Sequence, residues 1–300
     1  TDIKELSVSG VDNSGKIVIS IKRPFRNSEI QQNIHFYADS KRIDFETIID
    51  WHEHQTLLKA AFPVDVYSEK ITCETQYGNL KRNLKREDSW DRAKFECCAH
   101  KWMDISDKDG SFGVAVLNDC KYGYDAKEKL MRLTLIKSGI FPNPNADQGL
   151  HEFTYSLFPH EGDYREGRVI EEARKLNENS HFYIPESKSS LSGQPSDIVA
   201  AALKGIIDIE DRGVFVEAVK MAENSKDIVI RLYEGYGRET TVKAKLFKGY
   251  EATLKKICEC NLLENNEECD ISFDDKTKEV LLQFKPFEIK TIRIQWYNNQ

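Results

Sequence analysis

The sequence predicts an all-β protein built from two antiparallel β domains, and three observations carry that reading. Short stretches of alternating apolar and polar residues recur along most of the chain, turn residues separate them at short intervals, and one segment alone has a helical period. No helical crossover separates most of the strands, so antiparallel pairing is expected.

Taken in order, 16–21 and 30–37 alternate or nearly so, with Arg26-Asn27-Ser28 as the turn between them. Over 41–55 the pattern repeats, and Ile43, Phe45, Thr47, Ile49 and Trp51 share one face of a strand. Residues 57–66 and 70–76 read as two more strands, broken around Pro63 and Ser68-Glu69. The segments 113–117, 130–136 and 152–158 continue the series. The helix is expected over 165–177, where Val169, Ala173 and Leu176 form a narrow apolar stripe on a charged segment, so it should lie on the surface of a sheet. Gly167 near its start weakens it slightly. Residues 185–195, rich in Ser, Gly and Pro, read as a linker. Beyond it, 214–222, 227–234, 240–246, 272–273, 280–284 and 288–296 suggest a small sandwich of about 100 residues. The expected domains are therefore 1–195 and 196–300.

Composition narrows the class. The chain has 300 residues, 40% of them hydrophobic, which is enough for two domains with separate cores. With 43 Lys and Arg against 50 Asp and Glu, the net charge of −7 argues against nucleic acid or an anionic membrane as partner. No apolar run approaches the roughly 20 residues a membrane helix needs, and no signal peptide opens the chain. It begins with Thr1 rather than Met, so a processed chain or a piece of something longer is expected. Seven cysteines, an odd number without regular spacing, and the lack of an Asn-x-Ser/Thr sequon favour reduced thiols and a cytoplasmic location.

Several clusters suggest chemistry. Cys258, Cys260 and Cys269 lie close in sequence, but a structural zinc site wants four ligands, and alternation in a strand places Cys258 and Cys260 on one face as small apolar residues. Adjacent Cys97 and Cys98 point to opposite faces of a strand, which favours core packing. His52-Glu53-His54 has metal-pair spacing without a third ligand nearby. No metal site is expected. The run from Leu117 to Asp125 is the densest polar and aromatic stretch outside the strands. Asn118, Asp119, Tyr122, Gly123 and Tyr124, on a hairpin-like loop there, suit sugar recognition, because amide and carboxylate bind hydroxyls and rings offer flat faces. The same residue types make ordinary turns. Asp147 and His151 form a second, weaker group after the rigid segment 141–144; His151 and Glu152, as strand neighbours, would face opposite ways and not act as one acid–base pair. There is no phosphate-binding glycine loop, no Gly-x-Ser-x-Gly and no His-Glu-x-x-His.

At these residues the chain resembles a known family. Arg42-Ile43-Asp44-Phe45, Asp50-Trp51-His52-Glu53, Leu57-Leu58-Lys59 and Phe62-Pro63-Val64 look like the carboxy-terminal half of glycoside hydrolase family 38 α-mannosidases. Phe95-Glu96, Ala99-His100-Lys101-Trp102, the run 117–125, Ala146-Asp147-Gln148-Gly149, the run 151–155 and Pro159-His160 add to the likeness. It is nearest the bacterial and cytosolic or vacuolar branch, and Val216 to Lys220 and Arg231 to Glu234 extend it into the second domain. The resemblance implies that residues 1 to about 190 are a mutarotase-like β-supersandwich, followed by the small sandwich. It implies a retaining exo-glycosidase acting on terminal α-mannosyl residues, with an Asp nucleophile and a divalent metal, usually zinc, in an amino-terminal barrel-like domain. Nothing in the 300 residues matches those catalytic or metal-binding motifs, so no nucleophile, acid/base or metal ligand is carried over. What carries over is the 118–125 loop, which in the family approaches the cleft: Asp119, Lys121 and Tyr122 are expected to line the sugar pocket and Asn118 to shape the loop. Expected partners are the protein's own catalytic domain and an α-mannoside oligosaccharide, with a homo-oligomer left open. The alternative is a free-standing carbohydrate-binding or mutarotase-like β protein.

Overall fold

The structure, a computed structural model, describes residues 3–85, 87–178, 207–246, 254–274 and 276–296. It divides into two compact units, Thr1–Asn179 and Ser180–Gln300. The expected linker at 185–195, and with it the boundary near 195, lies outside the described residues.

The first unit contains strands β1 (Glu5–Val8), β2 (Lys16–Phe25), β3 (Ser28–Tyr37), β4 (Ile43–Trp51), β5 (Thr56–Pro63), β6 (Lys70–Thr75), β7 (Gly78–Asn83), β8 (Cys97–Cys98), β9 (Trp102–Ser106), β10 (Phe112–Asn118), β11 (Gly123–Lys127), β12 (Leu130–Ser138) and β13 (Gly149–Glu161). Helix α1 (Ser89–Ala93) precedes β8 and α2 (Val169–Asn177) follows β13. A nine-stranded sheet has the order β1-β2-β3-β4-β13-β10-β9-β6-β7, and a four-stranded sheet the order β5-β12-β11-β8. The strand pairs are antiparallel.

Alternation decides which side chains enter the core between the sheets. Along β4, Thr47, Ile49 and Trp51 are buried while Glu46 and Asp50 are exposed. Ile49 and Trp51 pack with Val114 and Val116 of β10, Met131 and Leu133 of β12, and Phe153 and Tyr155 of β13. Trp51 stacks on Phe25, and its indole N–H donates to the Ser138 hydroxyl at 3.0 Å, so its one polar atom is satisfied inside the core.

The outer face of the large sheet is polar where α2 covers it. Arg42 binds Asp44 through Nε at 2.8 Å and donates from Nη1 to the Glu172 carbonyl of α2 at 3.2 Å. Asp44 also accepts from the Ser156 hydroxyl at 2.6 Å and the Tyr37 hydroxyl at 2.9 Å. Burial works against the Asp44 charge, yet these donors hold the carboxyl below its usual value. The helix begins at Val169, four residues later than the 165 expected. Asp163 accepts from the Arg165 N–H at 2.8 Å and makes a turn there, and Gly167 lies against the His160 ring, where a Cβ would collide. The buried stripe accordingly starts at Val169 and Ile170, with Ala173 one turn on.

The second unit has β14 (Ile207–Ile209), β15 (Val214–Met221), β16 (Ile228–Glu234), β17 (Thr240–Leu246), β18 (Leu254–Cys260), β19 (Asn266–Asp270), β20 (Phe273–Asp274), β21 (Glu279–Phe284) and β22 (Ile289–Trp296). They form sheets β14-β17-β21-β20 and β15-β16-β22-β18-β19. Ile230, Leu232, Val242, Ala244, Leu282 and Ile292 fill the core. At the end of β16, fully buried Glu234 accepts from the backbone N–H groups of Tyr236, Gly237, Arg238 and Phe287 at 2.8–3.1 Å. One carboxylate thus organises two loops. Replacing it removes the acceptor and strands those N–H groups. Glu234→Ala is expected to destabilise the second unit by about 1–3 kcal/mol and Glu234→Gln by less. Thermal unfolding followed by circular dichroism measures both; an unchanged transition for Glu234→Ala would refute the role.

Candidate sugar-contacting loop

Asn118 ends β10 in the nine-stranded sheet, and after four intervening residues β11 begins in the four-stranded sheet. The segment is therefore a crossing between sheets, not the hairpin-like turn that its Asn, Gly and Tyr content suggests. Only Asp119 to Tyr122 form the loop, because Tyr124 and Asp125 belong to β11.

The crossing is held by Asn118. Its side chain is fully buried, and Nδ2 donates to the His100 carbonyl at 2.7 Å and to the Tyr124 hydroxyl, while Oδ1 accepts the Lys121 N–H. Its own carbonyl accepts from Asn177 at the end of α2 at 2.9 Å. An amide suits this place, since it offers two donors and an acceptor in one plane where no water reaches. Tyr124 is fully buried and its hydroxyl donates on to the His100 carbonyl at 3.3 Å; burial pushes its pKa well above the usual value. It supports the loop from beneath and presents no ring at the surface.

The other loop residues sit against β13. Asp119 and Thr154 exchange bonds: the Asp119 N–H donates to the Thr154 carbonyl at 3.1 Å, and the Thr154 N–H donates to Asp119 Oδ2 at 2.8 Å. Lys121 places its ammonium 4.3 Å from the centre of the Phe153 ring, a cation–π contact. Tyr122 is 54% exposed and meets His100 edge-on at 5.5 Å between centroids. Its carbonyl accepts the Ala99 N–H at 3.1 Å. The result is an exposed carboxylate, an ammonium and a phenol ring on one short, braced loop, with His100 beside them. That set can hydrogen-bond hydroxyls and stack on a sugar face.

Sequence reasoning named Asn118, Asp119, Lys121, Tyr122 and Tyr124, and the structure brings these five together. It did not single out His100, Phe153 or Asn177; the Ala99-His100-Lys101-Trp102 run was the available signal for the first. Asp147 and His151 form a separate pair. The His151 Nε2 donates to the Asp147 carbonyl at 2.9 Å, and Asp147 Oδ2 accepts the Lys137 N–H at 3.1 Å. Strand alternation puts His151 on the Phe153 side of β13, about 7 Å along the strand from it. Glu152 points the other way and is exposed.

A resident metal finds no fit here. Among the described residues no group of three or more His, Cys, Asp or Glu side chains could hold a metal ion. His52 lies 2.9 Å from Asp50 and is exposed, whereas Glu53 turns inward to accept from the Asn27 N–H and the Ser28 hydroxyl. Cys258 and Cys260 are buried free thiols; the Cys269 side chain lies outside the described residues.

Two predictions come from this geometry. Asn118→Ala leaves several groups without partners and is expected to lower the stability of the first unit by about 1–3 kcal/mol, whereas Asp119→Asn should cost far less; urea titration compares them. Burial first, and then the hydrogen bond and charge of Asp119, raise the Cys120 thiol to about 11. Its alkylation should therefore keep rising with pH toward that value, and Asp119→Asn should move the midpoint down. Peptide-resolved iodoacetamide labelling across pH measures this, and a midpoint unaffected by Asp119→Asn would contradict the pairing.

Comparison with known proteins places the chain. The description "Glycosyl hydrolases family 38 C-terminal domain" matches residues 6–145, and "Glycosyl hydrolases family 38 C-terminal beta sandwich domain" matches residues 213–292. Alpha-mannosidase G of Dictyostelium discoideum is 37% identical over 276 residues, covering 90% of this chain and 24% of that protein. Human Alpha-mannosidase 2C1 is 33% identical over 270 residues, covering 89% of this chain and 24% of that protein. The chain thus spans about a quarter of the length of these relatives. A crystal structure of an alpha-mannosidase from Enterococcus faecalis V583 superposes with a TM-score of 0.71 at 18% identity, covering 98% of this chain and 35% of that one, which shows a shared fold. With both of its β units matched in order, the chain belongs to the carboxy-terminal region of glycosyl hydrolase family 38.

Proposed function

We propose that the chain is the carboxy-terminal part of an α-mannosidase, a retaining exo-glycosidase that hydrolyses terminal α-mannosyl residues, and that the Asp119–Tyr122 loop helps to shape its sugar pocket. The observation that carries this reading is the alignment of nine-tenths of the chain with proteins named as α-mannosidases, of which it spans about a quarter. Retaining hydrolysis needs two carboxyl groups about 5 Å apart across the anomeric carbon. That pair, and a divalent metal such as zinc to orient substrate oxygens, are assigned to a catalytic domain outside these 300 residues. The loop would contribute from the side: Asp119 accepts from a sugar hydroxyl, Lys121 donates to one, and the Tyr122 ring covers an apolar face of the sugar.

The partners in this reading are that catalytic domain and an α-mannoside oligosaccharide. Large apolar side chains stand exposed in the loop (Tyr122), ahead of β13 (Phe141, 91% exposed) and at the start of β13 (Leu150). Such side chains suit burial against another domain. The location proposed is the cytoplasm, on the free thiols of the six described cysteines. No helix among the described residues is long and apolar enough to cross a membrane.

In the protein that joins this chain to its catalytic domain, Asp119→Ala and Tyr122→Ala are each expected to lower kcat/KM for a nitrophenyl α-mannoside. A lost bond of about 1–3 kcal/mol is a loss of roughly five- to 150-fold. Unchanged kcat/KM in both variants would remove the loop from the pocket. The 300-residue chain alone is expected to release no nitrophenol, and turnover by it would overturn the assignment of catalysis elsewhere.

A further inference from the structure

We propose that Cys97 and Cys73 form a peroxide-responsive thiol pair, in which Cys97 is oxidised and Cys73 closes a disulfide between the two sheets of the first unit. The two Sγ atoms lie 3.9 Å apart, in van der Waals contact. Cys73 is in β6 of the large sheet and fully buried; Cys97 is in β8 of the small sheet and half-buried. Cys97 opens onto a cavity of about 240 Å³ that Arg82, Lys81 and Lys94 also line. A small oxidant can therefore reach one sulfur, while the other waits behind it.

The surroundings divide the labour between the sulfurs. The Arg82 Nε is buried without a partner, and its guanidinium donates to the Cys98 carbonyl at 3.4 Å, which fixes a cation with a spare donor beside the pair. The hydrogen bond from Cys73 and then the Arg82 charge bring the Cys97 thiol down to about 7, against the opposing effects of burial, Asp125 and Glu96. The hydrogen bond to Cys97 and burial push the Cys73 thiol up, so it keeps its proton. Cys120, which is exposed, is shifted the other way, to about 11.

The reaction balances with one hydroperoxide. The Cys97 thiolate attacks a peroxide oxygen, the O–O bond breaks, and Cys97 becomes a sulfenic acid while hydroxide leaves and takes up the thiol's proton as water. Cys73 sulfur then attacks the sulfenic sulfur, the S–O bond breaks, and the Cys73 proton leaves with the hydroxyl as a second water. Two thiols are oxidised and one peroxide is reduced to two waters. The new bond joins the strand partner of Tyr124, since Tyr124 pairs with Cys97, to the large sheet.

The test is hydrogen peroxide treatment of the 300-residue chain, followed by non-reducing peptide mapping. The expected product is a Cys73–Cys97 disulfide that also forms in Cys98→Ser. In Cys73→Ala, dimedone should trap a sulfenic acid at Cys97. Before oxidation, iodoacetamide at pH 7.5 should modify Cys97 about tenfold faster than Cys120. Failure to find the Cys73–Cys97 peptide while Cys98 or Cys120 is oxidised overturns the proposal, as does equal labelling of Cys97 and Cys120.

Discussion

The backbone of the first unit has to leave a nine-stranded sheet and enter a four-stranded one within four residues, and the buried amide of Asn118 is what makes that passage. A crossing at this depth leaves backbone groups that neither sheet can pair, and an unpaired buried group costs as much as a lost hydrogen bond. Asn118 meets the His100 carbonyl, the Lys121 N–H and the Tyr124 hydroxyl together. Asp119, Lys121 and Tyr122 are presented where they are because that amide fixes both ends of their loop.

The same requirement runs through the outer face of the large sheet. Helix α2 is too short and too charged to hold itself in place. It docks through Val169, Ile170 and Ala173 and through part-buried hydrogen bonds exchanged with the sheet. Arg42 reaches the Glu172 carbonyl, and the Asn177 side chain reaches the Asn118 carbonyl. Close by, His160 and Asp104 pair at 2.7 Å, both buried, with Gly113 and Gly167 leaving room for the imidazole. Removing one member of such a set strands the others, so these groups specify register and helix position more than they add net stability. Glu234 in the second unit repeats the arrangement with a carboxylate and four backbone donors.

The loop was legible in the sequence because it gathers polar and aromatic residues between two apolar strands. Its neighbours were not. His100, Phe153 and Asn177 are far from it in sequence, and each reads locally as an ordinary turn, strand or helix residue. The strands that escaped the sequence reading, among them Gly78–Asn83, Trp102–Ser106 and Gly123–Lys127, are short. In Trp102–Ser106 the first four residues are buried together, since one face meets the core and the other meets the segment carrying Tyr164, which stacks on Trp102. A strand buried on both faces carries no period of two.

The sequence by itself determined the β class and the placement of most strands, because a half-buried strand must alternate and most of these are half-buried. Its motifs also carried the likeness to family 38. Only the tertiary structure decided that residues 118–123 cross between sheets, that Tyr124 supports the loop rather than lines it, and that Cys73 and Cys97 meet. Each of these depends on which strands become neighbours across the core. That choice is made by long-range packing and by where buried polar groups find partners, and neither leaves a local periodicity to read.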